Sequence, residues 1–329
     1  MALSRRRLLQ IASAAPALAP FSAPARAQAY PSRPLKIIAP WPVGGAVDAL
    51  SRALGSRLEA RLGQPVITEN RPGAGSTLGV NAGARSAPDG YTLVLAGNSS
   101  LAISPTMYKK LSFDPLKDFA PVALIARIPM VLVVHPSMPF KSVAELVQYA
   151  KEKPGQLNYG SGGPGSSHHM VTEMFRSATG IEITHVPYGG SAPAMNDLMA
   201  GHIQMLFSDP LPAPPQIKAG TVRALGVTSA QRWDIMPEIP TIAEGGVTGF
   251  DAVNWTMAAA PAGTPKEIVD RLAAEFRAVA KMPDAKEQIS KLGMVLVESD
   301  PPDELLKFIA SEGERWGGAV QRAGLAGTL

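Results

Sequence analysis

The sequence predicts an α/β fold built mainly from parallel strands. Three observations carry that expectation. Short β-rich runs alternate with segments of helical period along the chain. The links from strand to helix are rich in Gly, Ser and Pro. The 329 residues, 46% hydrophobic and 18% charged, suit a folded globular chain and exclude a collagen, a coiled coil or a disordered polymer.

The elements follow in order. Residues 35–39 are short and apolar, a strand. Val47, Leu50, Leu54, Leu58 and Leu62 recur at three- and four-residue spacing, the mark of a helix with one buried face. A short strand over 66–68 and a helix over 77–86 come next. The Asp89-Gly90 turn then leads into a strand over 91–96. Residues 130–134 form a strongly apolar strand ended by Pro136, and 143–151 a helix lined by Val143, Leu146, Val147 and Ala150. Strands over 157–159, 183–186, 203–207 and 223–228 alternate with helices over 167–179 and 192–200. A Pro/Gly-rich stretch opens at Pro237, and 252–260 reads as an extended crossing segment. Two helices close the chain. Ile268, Leu272, Phe276 and Val279 line one. Leu305, Phe308, Ile309, Trp316 and Val320 line the other, with Pro301 and Pro302 suited to its start. No internal repeat or low-complexity linker divides the chain, so any two-domain division falls within crossing strands.

Charge and cysteine content exclude several functions. The formal net charge of +4 would suit nucleic acid, but four of the 31 basic side chains (Arg5, Arg6, Arg7 and Arg26) lie in the first 27 residues, which hold no acid. The other 27 face 27 acidic side chains, so no global field draws phosphates or anionic membranes. Absence of cysteine excludes disulfides, thiolate metal sites and cysteine nucleophiles. Residues 1–27 read as an export signal. Ser4-Arg5-Arg6-Arg7-Leu8-Leu9 is a twin-arginine-like start, an apolar run follows, and Ala25-Arg26-Ala27 is a cleavage site that leaves Gln28 first. No later segment approaches the ~20 apolar residues of a membrane helix. The expected product is a soluble periplasmic protein.

One chemical arrangement recurs: strand, Gly/Ser/Pro loop, helix. It appears at Ala39-Pro40-Trp41-Pro42-Val43-Gly44-Gly45-Ala46-Val47-Asp48, at Ala96-Gly97-Asn98-Ser99-Ser100, at Tyr159-Gly160-Ser161-Gly162-Gly163-Pro164-Gly165-Ser166-Ser167, and at Pro187-Tyr188-Gly189-Gly190-Ser191-Ala192. Such loops present backbone N–H groups at a helix N-terminus, where the dipole favours negative charge, and glycine lets a ligand come close. At the carboxyl ends of strands, several together hold a small anion without a cation. Taken singly, each loop is a turn with an N-cap serine, Asp48 a favourable charge at a helix start, and Trp41 and Tyr188 packed rings. Other chemistries lack their parts. Gly73-Ala74-Gly75-Ser76-Thr77-Leu78-Gly79 resembles a dinucleotide loop, but Ala96-Gly97-Asn98 stands where the ribose-binding acid belongs. No phosphate loop or nucleophile elbow occurs. His169 and Glu173, four apart, have no further metal ligand indicated, and His168 reads as a histidine bonded to its loop.

An ordered set of motifs then resembles the solute receptors of tripartite tricarboxylate transporters, the Bug family. It runs from Tyr30-Pro31-Ser32-Arg33-Pro34 and Pro40–Asp48 through Glu69-Asn70-Arg71-Pro72-Gly73-Ala74-Gly75 and Pro88-Asp89-Gly90-Tyr91-Thr92-Leu93. It continues through Asp114-Pro115, Asp118-Phe119-Ala120-Pro121-Val122, Tyr159-Gly160-Ser161, His168 and Val186-Pro187-Tyr188. It ends with Pro237–Ala243, Ala260-Pro261-Ala262-Gly263-Thr264-Pro265, Trp316 and Ala323-Gly324. The resemblance implies a type II periplasmic binding protein fold. Residues 28–128 with 255–329 would form one α/β domain and 129–254 the other, joined by two crossing strands. It implies a small carboxylate held by backbone amides, hydroxyls and water, and delivery to the permease subunits of a membrane transporter. The receptor would be a monomer with no enzymatic activity and neither cofactor nor metal. Ligand contacts would come from Trp41, Val43, Gly44, Gly45 and Asp48; from Ser99 and Ser100; from Ser161, Gly162, Ser166 and Ser167; from Tyr188, Gly190, Ser191 and Ala192; and from Asp209, facing a ligand amine or hydroxyl. Two positions depart from the family: Val43 replaces a common proline, and Gly189 a common lysine, which removes a cation. The rival readings are an exported cofactor- or metal-dependent enzyme and a ligand sensor feeding a signalling protein.

Overall fold

The computed structural model describes residues 30–329, so the export segment read over 1–27 lies outside the described residues. The chain opens with β1 (Leu35–Ala39), α1 (Ala46–Leu62), β2 (Val66–Asn70), α2 (Thr77–Ala84) and β3 (Thr92–Gly97). A wide π-type turn, Ser99–Ile103, runs into the short α3 (Ser104–Met107). Next come β4 (Phe119–Ile128), β5 (Val131–Val134), α4 (Val143–Glu152), β6 (Leu157–Ser161), α5 (Ser167–Thr179), β7 (Ile183–Pro187), α6 (Ser191–Met199), β8 (Met205–Ser208), α7 (Ala213–Lys218) and β9 (Arg223–Val227). The last segment holds β10 (Asn254–Pro261), α8 (Lys266–Ala280), α9 (Pro283–Lys291), β11 (Val295–Leu296) and α10 (Pro302–Arg322).

These elements build two α/β units. One holds a six-stranded sheet in the order β11-β4-β10-β3-β1-β2, the other a five-stranded sheet in the order β7-β6-β8-β5-β9. Strand direction corrects the expectation of a mainly parallel fold. β1 runs parallel to β2 and β3, and β6 parallel to β7 and β8. β10, however, is antiparallel to β3 and β4, β5 is antiparallel to β8 and β9, and β11 is antiparallel to β4. The reason is topological. A strand followed by a loop and a helix runs toward the cleft between the sheets, whereas β5 and β10 enter their sheets from the cleft and run away from it.

The ten-residue β4 escapes the sequence reading because Pro121 interrupts its apolar run. Pro121 pairs with Ala259 of β10 on one side, while β11 covers only Ala126 and Arg127 on the other. At Pro121, β4 therefore has a strand neighbour on one side only, a setting in which proline is tolerated. Short helices α3, α7 and α9 also carry too few periods to be read locally.

Packing explains the long elements. All eight residues of β10 are buried, as befits a central strand covered on both faces. Helix α1 lays Leu50, Leu54 and Leu58 against Leu35, Ile37 and Leu93, and ends on the left-handed Gly63. Ser142 caps α4 by accepting the Glu145 N–H at 3.2 Å, and Glu145 accepts the Lys141 N–H in return. In α10, the Glu312 carboxylate oxygen Oε2 accepts both the Trp255 Nε1–H, at 2.6 Å, and the Trp316 Nε1–H, at 2.9 Å. Trp316 is fully buried, and Trp255 stands at the mouth of β10. One carboxylate thus ties the last helix to the strand that enters the cleft.

Candidate functional site

The cleft ends of both sheets enclose a cavity of about 390 Å³. The first unit contributes residues 41–47, Ser76, Leu95, residues 97–99, Ile128 and residues 254–256. The second contributes Ser167, His168, residues 189–193, Asp209, Leu211 and Pro212.

Two helix N-termini meet there, one from each unit. Helix α1 starts at Ala46 after Gly45, with no side-chain cap. Its first intrahelical bond runs from the Ala49 N–H to the Gly45 carbonyl, so among the described residues the Ala46 and Val47 amides have no acceptor. Helix α6 starts at Ser191 after Gly190, again with no side-chain cap, and Pro193 brings no N–H. Its Ser191 and Ala192 amides are free in the same way. Both dipoles favour negative charge in the cavity. Helix α5 is different: the Ser166 hydroxyl accepts the His169 N–H at 3.3 Å.

Side chains of the rim bind one another across the cleft. The Ser167 hydroxyl donates to Asn98 Oδ1 at 3.2 Å, and Asn98 Nδ2 donates to Asn254 Oδ1 at 3.0 Å. The Ser99 hydroxyl lies 2.8 Å from the Gly75 carbonyl and 3.0 Å from the Gly165 carbonyl, which belong to opposite units. No lysine or arginine lines the cavity among the described residues; Asp209 is its one carboxylate.

Ten of the sixteen predicted ligand residues line this cavity: Trp41, Val43, Gly44, Gly45, Ser99, Ser167, Gly190, Ser191, Ala192 and Asp209. Val43 stands exposed at its mouth. The other six lie behind the lining. Asp48 accepts the Gly44 N–H at 2.9 Å and pairs with Arg52, so it shapes the α1 loop. Burial pushes its pKa up, but the Gly44 amide, Arg52 and Asn70 outweigh that and hold the carboxyl below the usual aspartate value. Ser100 bonds the Gly97 carbonyl, Ser166 caps α5, and Ser161 lies 2.5 Å from His185 Nε2, with Gly162 beside it in the chain. The Tyr188 hydroxyl donates to Asp197 at 2.7 Å; burial, with Asp197, pushes its pKa up to about 12. Sequence reasoning passed over Asn98, His168 and the start of β10, Asn254 to Thr256. The signal was present for the last: a crossing strand opens at the cleft.

The His169–Glu173 pair is occupied by the fold. His169 stacks on His185 with centroids 4.2 Å apart, and Glu173 accepts the Tyr159 hydroxyl and pairs with Arg176. Burial, the neighbouring His185 and Arg176 push the His169 pKa down to about 4, and burial lowers that of His185. The unfolded chain takes up these protons below the ordinary value of about 6.5. Stability is therefore complete above that pH and falls as pH drops toward 4, by about 1.4 kcal/mol per pH unit for each proton refused. Urea unfolding between pH 6 and 5 should show this slope, and His169→Phe should reduce it by about one proton. An unchanged slope would remove His169 as its source.

Along most of its length the chain is similar to known proteins. The family model described as tripartite tricarboxylate transporter family receptor matches residues 50–325. The UPF0065 protein in the tcbD-tcbE intergenic region of Pseudomonas sp. (strain P51) is 38% identical over 318 residues, 95% of this chain and 93% of that protein. Protein BugT of Bordetella pertussis is 35% identical over 323 residues, 98% of this chain and 99% of its own length. Among solved structures, R. palustris Rpa4515 with adipate has a TM-score of 0.85 at 35% identity, covering 90% of this chain and 99% of that one. MatC (Rpa3494) from Rhodopseudomonas palustris with bound malate has a TM-score of 0.81 at 30% identity, covering 88% and 100%.

Proposed function

The chain belongs to the tripartite tricarboxylate transporter receptor family, and we propose that it captures a small carboxylate between its two sheets and delivers it to the permease subunits of such a transporter. One observation carries this reading: free amides of α1 and α6, from opposite units, face one cavity that, among the described residues, no lysine or arginine lines. A carboxylate there accepts N–H bonds at two dipole ends, each charge-assisted bond contributing roughly 1.5–3 kcal/mol. Relatives solved with adipate and with malate support the same ligand chemistry.

Because each unit supplies one cradle, a bridging ligand favours the closed arrangement, with Ser99–Gly165 and Ser167–Asn98 as its latches. The receptor acts by binding and closing and performs no chemistry on its cargo. Among the described residues no helix is long and apolar enough to cross a membrane. The family and the export signal read over residues 1–27 support a periplasmic location, and in this reading the receptor meets the permease as a monomer.

The test is a thermal-shift screen of the chain from Gln28 on, refolded once to strip carried ligand, with carboxylates and their matched amides. A ligand at a hundred times its Kd adds roughly 2.7 kcal/mol, a shift of several degrees. A shift with an acid but not its amide is the expected result. Equal shifts with both, or turnover of the ligand, would overturn the proposal.

A further inference from the structure

Resting on that reading, we infer that the cargo is a monocarboxylate carrying a second hydrogen-bond donor, an ammonium or a hydroxyl, and that His168 and Asp209 recognise that donor. Most polar side chains of the cavity wall are spent on the fold: Asn98, Ser99, Ser167 and Thr256 all bond protein groups. His168 and Asp209 are not. His168 is 6% exposed, and among the described residues neither ring nitrogen has a hydrogen-bond partner. Its Nε2 lies 3.1 Å from Asp209 Oδ2, within ion-pair reach of a protonated ring, but the two do not meet hydrogen-bond geometry. The Asp209 carboxylate accepts no hydrogen bond among the described residues. Its backbone is held in place, the Asp209 N–H donating to the Ser191 hydroxyl at 3.3 Å.

A buried polar ring with two idle nitrogens is costly unless something completes it. A neutral imidazole offers one donor and one acceptor, and the carboxylate beside it offers acceptors only. A ligand O–H or N–H lying beside the pair can donate to Asp209 and, from the cavity side, come within reach of the His168 ring. A second ligand carboxylate does the opposite. It would face Asp209 at close range in a cavity without lysine or arginine, like charge against like charge and out of water. The rest of the wall, with Trp41, Leu95, Ile128, Leu211 and Trp255, suits an apolar body.

Calorimetry on the stripped chain from Gln28 on tests this with matched probes: butyrate, hexanoate and benzoate. Each is used bare, with an amino or hydroxyl group beside the carboxylate or at the far end (for benzoate, ortho or para), and with a second carboxylate at the far end. In whichever series binds, a donor-bearing acid should bind at least about tenfold tighter than the bare acid and the diacid, the effect of one charge-assisted hydrogen bond. Asp209→Asn, its fold checked by thermal melting, should erase that preference. A diacid binding tightest to the wild type, or a preference that survives Asp209→Asn, overturns the inference and leaves the receptor reading standing. No acid binding better than its amide overturns both.

Discussion

Ala46→Pro should weaken carboxylate binding by roughly 10- to 150-fold while leaving the protein folded. The substitution removes one N–H from the α1 end of the cradle, and a hydrogen bond to a charged group contributes about 1.5–3 kcal/mol. Proline is tolerated at this position for two reasons. Ala46 is the first residue of the helix, where the N–H has no intrahelical acceptor. The residue before it, Gly45, already has φ −77° and ψ 170°, the extended conformation that a following proline demands. Calorimetry with the best acid of the screen, beside a thermal melt, separates lost binding from lost fold. Ala46→Gly keeps the amide and should keep the affinity to within a fewfold. Wild-type affinity in Ala46→Pro would take α1 out of the cradle.

Glu312→Leu should cost about 2–6 kcal/mol of stability. It strands two buried indole N–H groups at once, and each unsatisfied donor costs about 1–3 kcal/mol. Arg315, which reaches Glu312 Oε1 at 3.1 Å, loses its partner as well. Glu312→Gln retains an acceptor oxygen of the same reach and should recover a good part of the loss. The consequence extends to the site, because Trp255 is both a partner of Glu312 and a wall of the cavity. Chemical denaturation followed by tryptophan fluorescence measures both effects. A change below about 0.5 kcal/mol in Glu312→Leu would mean the indoles find other acceptors, and the link from α10 to the cavity would be abandoned.

Much of the fold was legible locally. The leucine spacing of α1, the Val143, Leu146, Val147 and Ala150 face of α4 and the apolar run of β10 are patterns carried within about a dozen residues, so local pattern alone finds them. The strand-end loops were legible for the same reason, and they hold nine of the ten lining residues, while Asp209 came only from the family resemblance. What failed was anything that depends on the far side of a contact. Pro121 argues against a strand until β10 is seen to supply the pairing it lacks on its other edge. Tyr188 looks like a wall until Asp197 takes its hydroxyl, and Ser161 looks like a ligand group until His185 does.

The sequence by itself determined the kind of site: neutral overall beyond its first 27 residues, without cysteine, with glycine- and serine-rich loops feeding helix starts. Only the tertiary structure decided which groups of those loops remain available. Each hydrogen-bonding group has a limited valence, and its partners come from anywhere in the chain. Asn98 is spent on Ser167 and Asn254, 69 and 156 residues away. Among the described residues the Ala46 and Ser191 amides stay open because no acceptor folds beside them, and the His168 ring meets only the Asp209 carboxylate.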